Sequence, residues 1–220
     1  MQYQIGENLK HIQEDIVPYK PNIIAVTKYF DEDAILEAFE AGIRDFAESR
    51  VIEASEKISR LPENVRKNST FHFIGHLQTN KAKKAVENFD IIHSVDSVRL
   101  AQKISEYALE LGKVQKILLQ LNIAQEVQKS GFEKEELIND FLQIKDMQGI
   151  RILGLMCMTP LGEAPDKIRN YFKAVREVRD YISMKYNYEL PELSMGMSQD
   201  YVIAAQEGST MLRIGRRLFS

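Results

Sequence analysis

Apolar residues along the chain alternate between two spacings. The stretch Ile23-Ile24-Ala25-Val26 is a continuous apolar run that ends on Thr27-Lys28. A strand covered on both faces reads this way, so a buried strand is expected with an amine at its carboxyl end. Before it, Ile5, Leu9, Ile12 and Ile16 fall four, three and four residues apart and predict one face of a helix that ends near Pro18. After it, Asp31 can cap a helix carrying Ile35, Ala38 and Phe39 on its inner face and closed by Gly42. The alternation then predicts a strand at Ile43–Phe46, helix 50–60, strand 70–74, helix 79–87 and strand 90–93. The stripe Val98, Ala101, Ile104, Ala108 and Leu111 predicts a further helix, with a strand over Val114–Ile123 and a helix over 134–147. Arg151–Met156 reads as a sixth strand, and Ile168, Phe172, Val175, Val178 and Ile182 share one helical face. Leu190–Ser194 is the seventh strand, Gln199–Gln206 a helix and Thr210–Ile214 the last strand.

Eight strands separated by seven helices imply a parallel sheet, which with the first helix as the eighth closes into a (β/α)₈ barrel of the TIM type with an extra N-terminal helix. The rival is an open doubly wound sheet, but no Gly-x-Gly-x-x-Gly follows any expected strand. At 220 residues the chain suits one barrel domain over 1–220, since such barrels commonly take ~200 to 250 residues.

Composition narrows the function classes. With 44% apolar and 28% charged residues and no apolar run near the ~18 residues of a membrane span, the pattern points away from disorder and membrane insertion. The net charge of −3 is interspersed, so no general field favours nucleic acid. Cys157 is the lone cysteine, which excludes an intrachain disulfide framework. The start has neither a basic nor an apolar signal region, and both facts fit the cytoplasm.

In such a barrel the site is built at the carboxyl ends of the strands. Lys28 follows strand one, Glu48-Ser49-Arg50 strand two, His76 to Lys81 strand three, and Ser94-Val95-Asp96 strand four. The loop from Asn122 to Lys129-Ser130-Gly131-Phe132 follows strand five, Met156 to Thr159 strand six, and Ser194 to Ser198 strand seven. Arg213 to Arg217 lies on and after strand eight. Gly196 and Gly215 permit close backbone approach and Ser198 sits at a helix start, which suggests an anion cradle, although each alone also reads as a turn former or cap. Lys28 is then either a nucleophilic amine at a low-dielectric mouth or the point where a strand reaches water.

Several runs carry a resemblance over nearly the whole chain: Ile24 to Lys28, Phe71 to Lys81, Ile92 to Asp96, Leu193 to Ser198 and Val202 to Phe219. They are similar to the pyridoxal phosphate homeostasis protein family, which itself resembles the barrel domain of alanine racemase, a fold-type III pyridoxal phosphate protein. The resemblance implies that pyridoxal 5′-phosphate is held as an aldimine on Lys28 and that Arg213 faces the pyridine nitrogen. It further implies that Ser194 or Ser198, with Gly215 and Arg216, holds the phosphate, and that Asn80 belongs to the cofactor-binding set. This chain has Ala47-Glu48-Ser49 where the family usually has Gly-Glu-Asn, and Arg216 where it generally has threonine.

Arginine does not hand its proton to a ring nitrogen as a carboxylic acid does, so a ring opposite Arg213 is a weak electron sink. Seven residues follow Arg213, too few for a domain supplying a second base. The expectation is a carrier of the cofactor with apo pyridoxal phosphate enzymes as partners, and not an enzyme. A fold-type III racemase or lyase and a cofactor-free Schiff-base aldolase stand as alternatives. Cys157 is expected to be a small buried hydrophobe. His72 and His76, with no adjacent carboxylate in sequence, are expected to be structural, so no metal is expected. Lys81, Lys83 and Lys84 read as a solvated face, and Met156, Met158, Met195 and Met197 as mouth or core filler.

Overall fold

The computed structural model describes residues 4–124 and 130–220. Its first half runs α1 (Ile5–Asp15), β1 (Asn22–Val26), α2 (Glu32–Glu40), β2 (Asp45–Glu48), α3 (Val51–Arg60), α4 (Glu63–Lys67) and β3 (Thr70–Phe73). A single 3₁₀ turn, Thr79–Lys81, leads into α5 (Ala82–Asn88), followed by β4 (Ile91–Val95), α6 (Val98–Glu110) and β5 (Gln115–Gln120). The second half continues with α7 (Lys134–Lys145), β6 (Ile150–Met156), α8 (Pro165–Tyr186), β7 (Glu192–Met197), α9 (Tyr201–Gln206), β8 (Met211–Ile214) and α10 (Arg216–Phe219).

The strands close in sequence order, every neighbouring pair parallel, with β8 returning to β1. This is the expected barrel. Alternation along each strand sorts its side chains into two apolar clusters. Ile24 and Val26, Ala47, Ile91, Leu118, Met156 and Met211 fill the inside of the cylinder. The larger cluster lies between sheet and helices and includes Ala25, Phe46, Phe73, Leu193, Met195 and Leu212. Met195 therefore faces the helices rather than the mouth. Among the described residues no helix is long and apolar enough to cross a membrane.

Some strand bounds differ from those the apolar pattern suggests. Ile43 does not open β2: its N–H donates to Ala38 O at 3.0 Å while Gly42, at φ +98°, donates to Phe39 O at 3.0 Å. That paired closure ends α2 and uses Ile43 as the apolar residue that buries its stop, so the strand begins at Asp45. In β7 the strand runs on to Met197, with Ser194 paired to Met211 and Met197 to Arg213 across a shift of register. Leu193 and Met195 face the helices, and a side chain at Gly196 would do the same. Ser194, expected as the last residue of the strand, lies within it.

The turn after β7 also differs from expectation. Ser198 does not start a helix; α9 begins at Tyr201, and the residue before it is the buried Asp200. Asp200 accepts from Met197 N at 2.6 Å and from Thr159 Oγ1 at 2.6 Å, tying the loops after β6 and β7 together.

Candidate functional site

The ends of β7, β8 and β1 are contiguous, and most of the expected site residues gather there. Arg213 pairs in register with Ile24 on one side and Met197 on the other. Lys28 lies in the turn after β1, two residues beyond Val26; it is partly buried, with Nζ 5.0 Å from the centre of the Tyr29 ring. Gly215 packs beside the same strand end, its implied Cβ 3.5 Å from Val26 Cβ. Ser198 is half-buried, and its Oγ accepts from Arg217 N at 3.3 Å, joining the loop after β7 to the start of α10. Arg216 is exposed beside it. Asn80 lies apart, exposed in the turn after β3. Lys129, in the loop after β5, lies outside the described residues.

Gly196 shapes the floor of this arc. Its φ is +94°, and a Cβ there would lie 2.5 Å from Ala204 Cβ and 2.9 Å from Leu212 Cδ2, so only glycine fits without displacement.

Arg213 is 3% exposed and places a cation in the barrel interior. It donates through NH1 to Ser194 Oγ at 2.6 Å and through NH2 to Cys157 O at 2.8 Å. Burial pulls its guanidinium below its ordinary value, opposed in part by the charge of Asp200, yet an arginine retains its proton. Burial pushes the Cys157 thiol up to about 12, so that side chain is the inert hydrophobe expected and only its carbonyl takes part.

From Ser194 a line of hydrogen bonds crosses the inside of the barrel. Ser194 Oγ is 2.9 Å from His93 Nδ1, His93 Nε2 is 2.8 Å from His72 Nδ1, and His72 Nε2 is 2.9 Å from Asp45 Oδ1. A guanidinium only donates and a carboxylate only accepts, so Ser194 accepts from Arg213 and His72 donates from Nε2 to Asp45. The two bonds between run as a set, from Ser194 through His93 to a neutral His72, or from a protonated His72 through His93 to Ser194. His93 is neutral in either arrangement. Burial first, and then the charges at His72 and Arg213, hold His93 well below the usual imidazole range. Burial alone would raise the Asp45 carboxyl, but hydrogen bonds from His72 and Asn22 outweigh it and leave Asp45 below its ordinary value. Asp45 borders a cleft of about 730 Å³ at the amino end of the barrel.

The expectation that His72 and His76 have no carboxylate partner is corrected by the fold. Asp45 reaches His72 from β2, and Asp96 Oδ2 lies 3.4 Å from His76 Nδ1, which also meets Ser130 Oγ at 3.0 Å. These are pairs with no third ligand, and among the described residues no three His, Cys, Asp or Glu groups gather as a metal site. The sequence reading passed over His93 and Asp45. One signal was present: His72 between Phe71 and Phe73 is an inward polar residue on a buried strand, and such a group needs a partner across the barrel. Lys83 and Lys84 pair with Glu110 and Glu87 on the surface at 3.1 and 3.6 Å.

Chemically, the arc combines an amine at the end of β1, a buried donor that keeps its charge, and a serine and glycine loop beside an exposed arginine. It can hold a planar acceptor against Arg213 and an anion at the rim.

Comparison with known proteins agrees with this geometry. Residues 3–220 match the family model described as alanine racemase, N-terminal domain. The chain is 42% identical over 203 residues to the pyridoxal phosphate homeostasis protein of Synechocystis, covering 92% of each. It superposes on PipY of Synechococcus elongatus, solved without pyridoxal phosphate, with a TM-score of 0.92 at 38% identity, covering 99% of this chain and 100% of that one. The same protein solved with pyridoxal phosphate bound gives 0.88 at 37% identity, with the same coverage. An alanine racemase of Clostridium difficile shares the fold, with a TM-score of 0.73 at 16% identity, over 97% of this chain and 56% of that one. The chain belongs to the pyridoxal phosphate homeostasis protein family, within the group defined by the alanine racemase N-terminal domain.

Proposed function

We propose that the chain binds pyridoxal 5′-phosphate in the mouth of its barrel and acts in pyridoxal phosphate homeostasis, holding the cofactor for storage or delivery. The observation that carries this reading is Arg213, a buried guanidinium locked by Ser194 and Cys157 in register with the strand that ends at Lys28. The bound form of PipY and the names of the relatives support it.

The cofactor supplies a reactive aldehyde. Lys28 would supply the amine with which that aldehyde condenses, water leaving and no electrons gained or lost. Arg213 would hold the ring nitrogen by a donated hydrogen bond while keeping its own proton, which would leave the ring a poor electron sink. Ser198, the backbone at Gly215, and Arg216 hold the phosphate. Ser194 has its hydroxyl committed between Arg213 and His93, so we assign it to orienting the arginine. Asn80 closes the mouth from the side of β3. The setting is the cytoplasm, where a free aldehyde meets many amines, and the acceptors are apo pyridoxal phosphate enzymes.

Borohydride treatment of the loaded protein followed by peptide mapping should place the reduced adduct on Lys28; an adduct confined to Lys81 or Lys129 overturns the assignment. With L-amino acids in deuterated water the loaded protein should exchange the α-proton slowly and should load an apoenzyme. Inversion of one amino acid at ~1 to 1,000 per second would replace the carrier by a racemase.

A further inference from the structure

Behind Lys28, on the opposite side of the sheet, lies a polar cluster that the site above does not use. Thr27 follows the inward Val26 and so faces α3. Its Oγ1 donates to Glu48 Oε1 at 2.8 Å. Lys57, from α3, reaches in with Nζ 2.7 Å from the same Glu48 oxygen and donates to the backbone oxygen of Thr27 at 2.9 Å. The Thr27 N–H completes the set by donating to Ala47 O at 3.0 Å. Thr27, Glu48 and Lys57 are 0%, 3% and 9% exposed, so this is a buried ion pair.

We propose that Lys57 and Glu48 are positioning residues for Lys28: through Thr27 they clamp the peptide that carries the Lys28 amine. This rests on the cofactor reading above. A buried ion pair is a poor means of stabilising a fold, because desolvating two charges offsets much of their attraction and an apolar pair of the same volume does as well. What an apolar pair lacks is direction. Here side-chain bonds with Glu48 and Lys57 add to backbone bonds with Ala47 and Phe30 on one residue, engaging its hydroxyl, its carbonyl and its N–H, and that residue immediately precedes the amine. The bonds made with Glu48 and Lys57 add to what the strand ladder supplies, so they restrain the peptide between Thr27 and Lys28 from the side chains as well as from the backbone. An amine that must meet an aldehyde carbon in a defined approach gains from such a fixed base.

The test compares two ligands that differ only at the reacting carbon. Pyridoxal 5′-phosphate can link to Lys28; pyridoxine 5′-phosphate, an alcohol at that carbon, binds the same phosphate and ring contacts without linking. Glu48→Gln/Lys57→Met removes both buried charges together, which keeps the fold, and should weaken the aldehyde roughly ten-fold while leaving the alcohol within about two-fold. Thr27→Val keeps the volume and loses the hydroxyl; Thr27→Ser loses a methyl and keeps it. Clamping predicts that Ser retains linkage and Val does not, whereas a packing role predicts the reverse order. Equal weakening of both ligands, or the packing order at Thr27, overturns the clamp. Absence of a reduced adduct on Lys28 in the unmutated protein would instead overturn the cofactor reading, so the two failures are distinguishable.

Discussion

Arg213 and His93 meet only through one oxygen: Ser194 Oγ lies 2.6 Å from the guanidinium and 2.9 Å from the imidazole. The serine oxygen therefore accepts from the guanidinium and spends its second bond on the imidazole. The buried arginine is thereby coupled to a neutral histidine and, through His72, to Asp45.

That coupling makes the fold acid-sensitive in a defined window. His93 is held well below the usual imidazole range, so the unfolded chain binds a proton near pH 6.5 that the folded chain does not. Stability then rises with pH below that point and is lost as pH falls from about 6.5, with a slope of about 1.4 kcal/mol per pH unit for one proton. Asp45 adds a second loss at lower pH: its lowered carboxyl contributes stability above the ordinary carboxylate value that disappears as pH falls through the folded one. Denaturant titrations at pH 5 to 8 should show the first slope, and His93→Gln, which can still accept from Ser194 and donate to His72, should flatten it. An unchanged slope in that variant would mean that another group sets the acid response.

The two serines should separate by ligand. Ser194→Ala removes the acceptor of a buried charge and should cost about 1.5 to 3 kcal/mol of stability, with pyridoxal and its phosphate weakened by the same factor. Ser198→Ala should spare stability and weaken the phosphorylated ligand selectively, roughly ten-fold. Calorimetry with both ligands checks this; a selective loss in Ser194→Ala would move the phosphate contact into the strand.

Gly196→Ala places a methyl 2.5 Å from Ala204 Cβ at a backbone φ of +94°. Strain at the backbone and displacement of α9 should together cost about 1 to 3 kcal/mol and weaken the phosphorylated ligand, because Ser198 lies on the same turn. A variant with wild-type melting temperature would show that the turn yields more easily than its packing implies.

Cys157 should resist alkylation. Its thiol is buried and pushed up to about 12, so a neutral iodoacetamide reagent at pH 8 should label it only after denaturation. Rapid labelling of the folded protein would reveal an opening of β6 that the packing does not suggest.

The barrel itself was legible because its signal is periodic and repeated: apolar runs such as Ile23 to Val26 alternate with helical stripes along the chain. Lys28 was legible because a lysine ending an apolar run is locally odd. What sequence order hides is what the closure of the sheet brings together. His72 and Asp45 are 27 residues apart, and His93 and Ser194 are 101, so no local pattern announces their bonds. The same holds for Lys57, which reads as an ordinary helix-surface lysine until α3 is laid over Glu48 and Thr27. Boundaries failed where one residue type serves two purposes, as Ile43 does in closing α2 and Ser194 does in filling the barrel.

The unequal apolar clusters have a consequence for how such a chain can vary. The fully buried phenylalanines Phe46, Phe73, Phe89, Phe132, Phe141 and Phe172 belong to the layer between sheet and helices. The cylinder holds smaller aliphatic residues, methionines and the polar line from Arg213 to Asp45. Cohesion therefore resides mainly outside the cylinder while ligand chemistry resides within it. Inward positions such as Ala47 and Met156 can therefore vary with the helical jacket still supplying most of the driving force for folding.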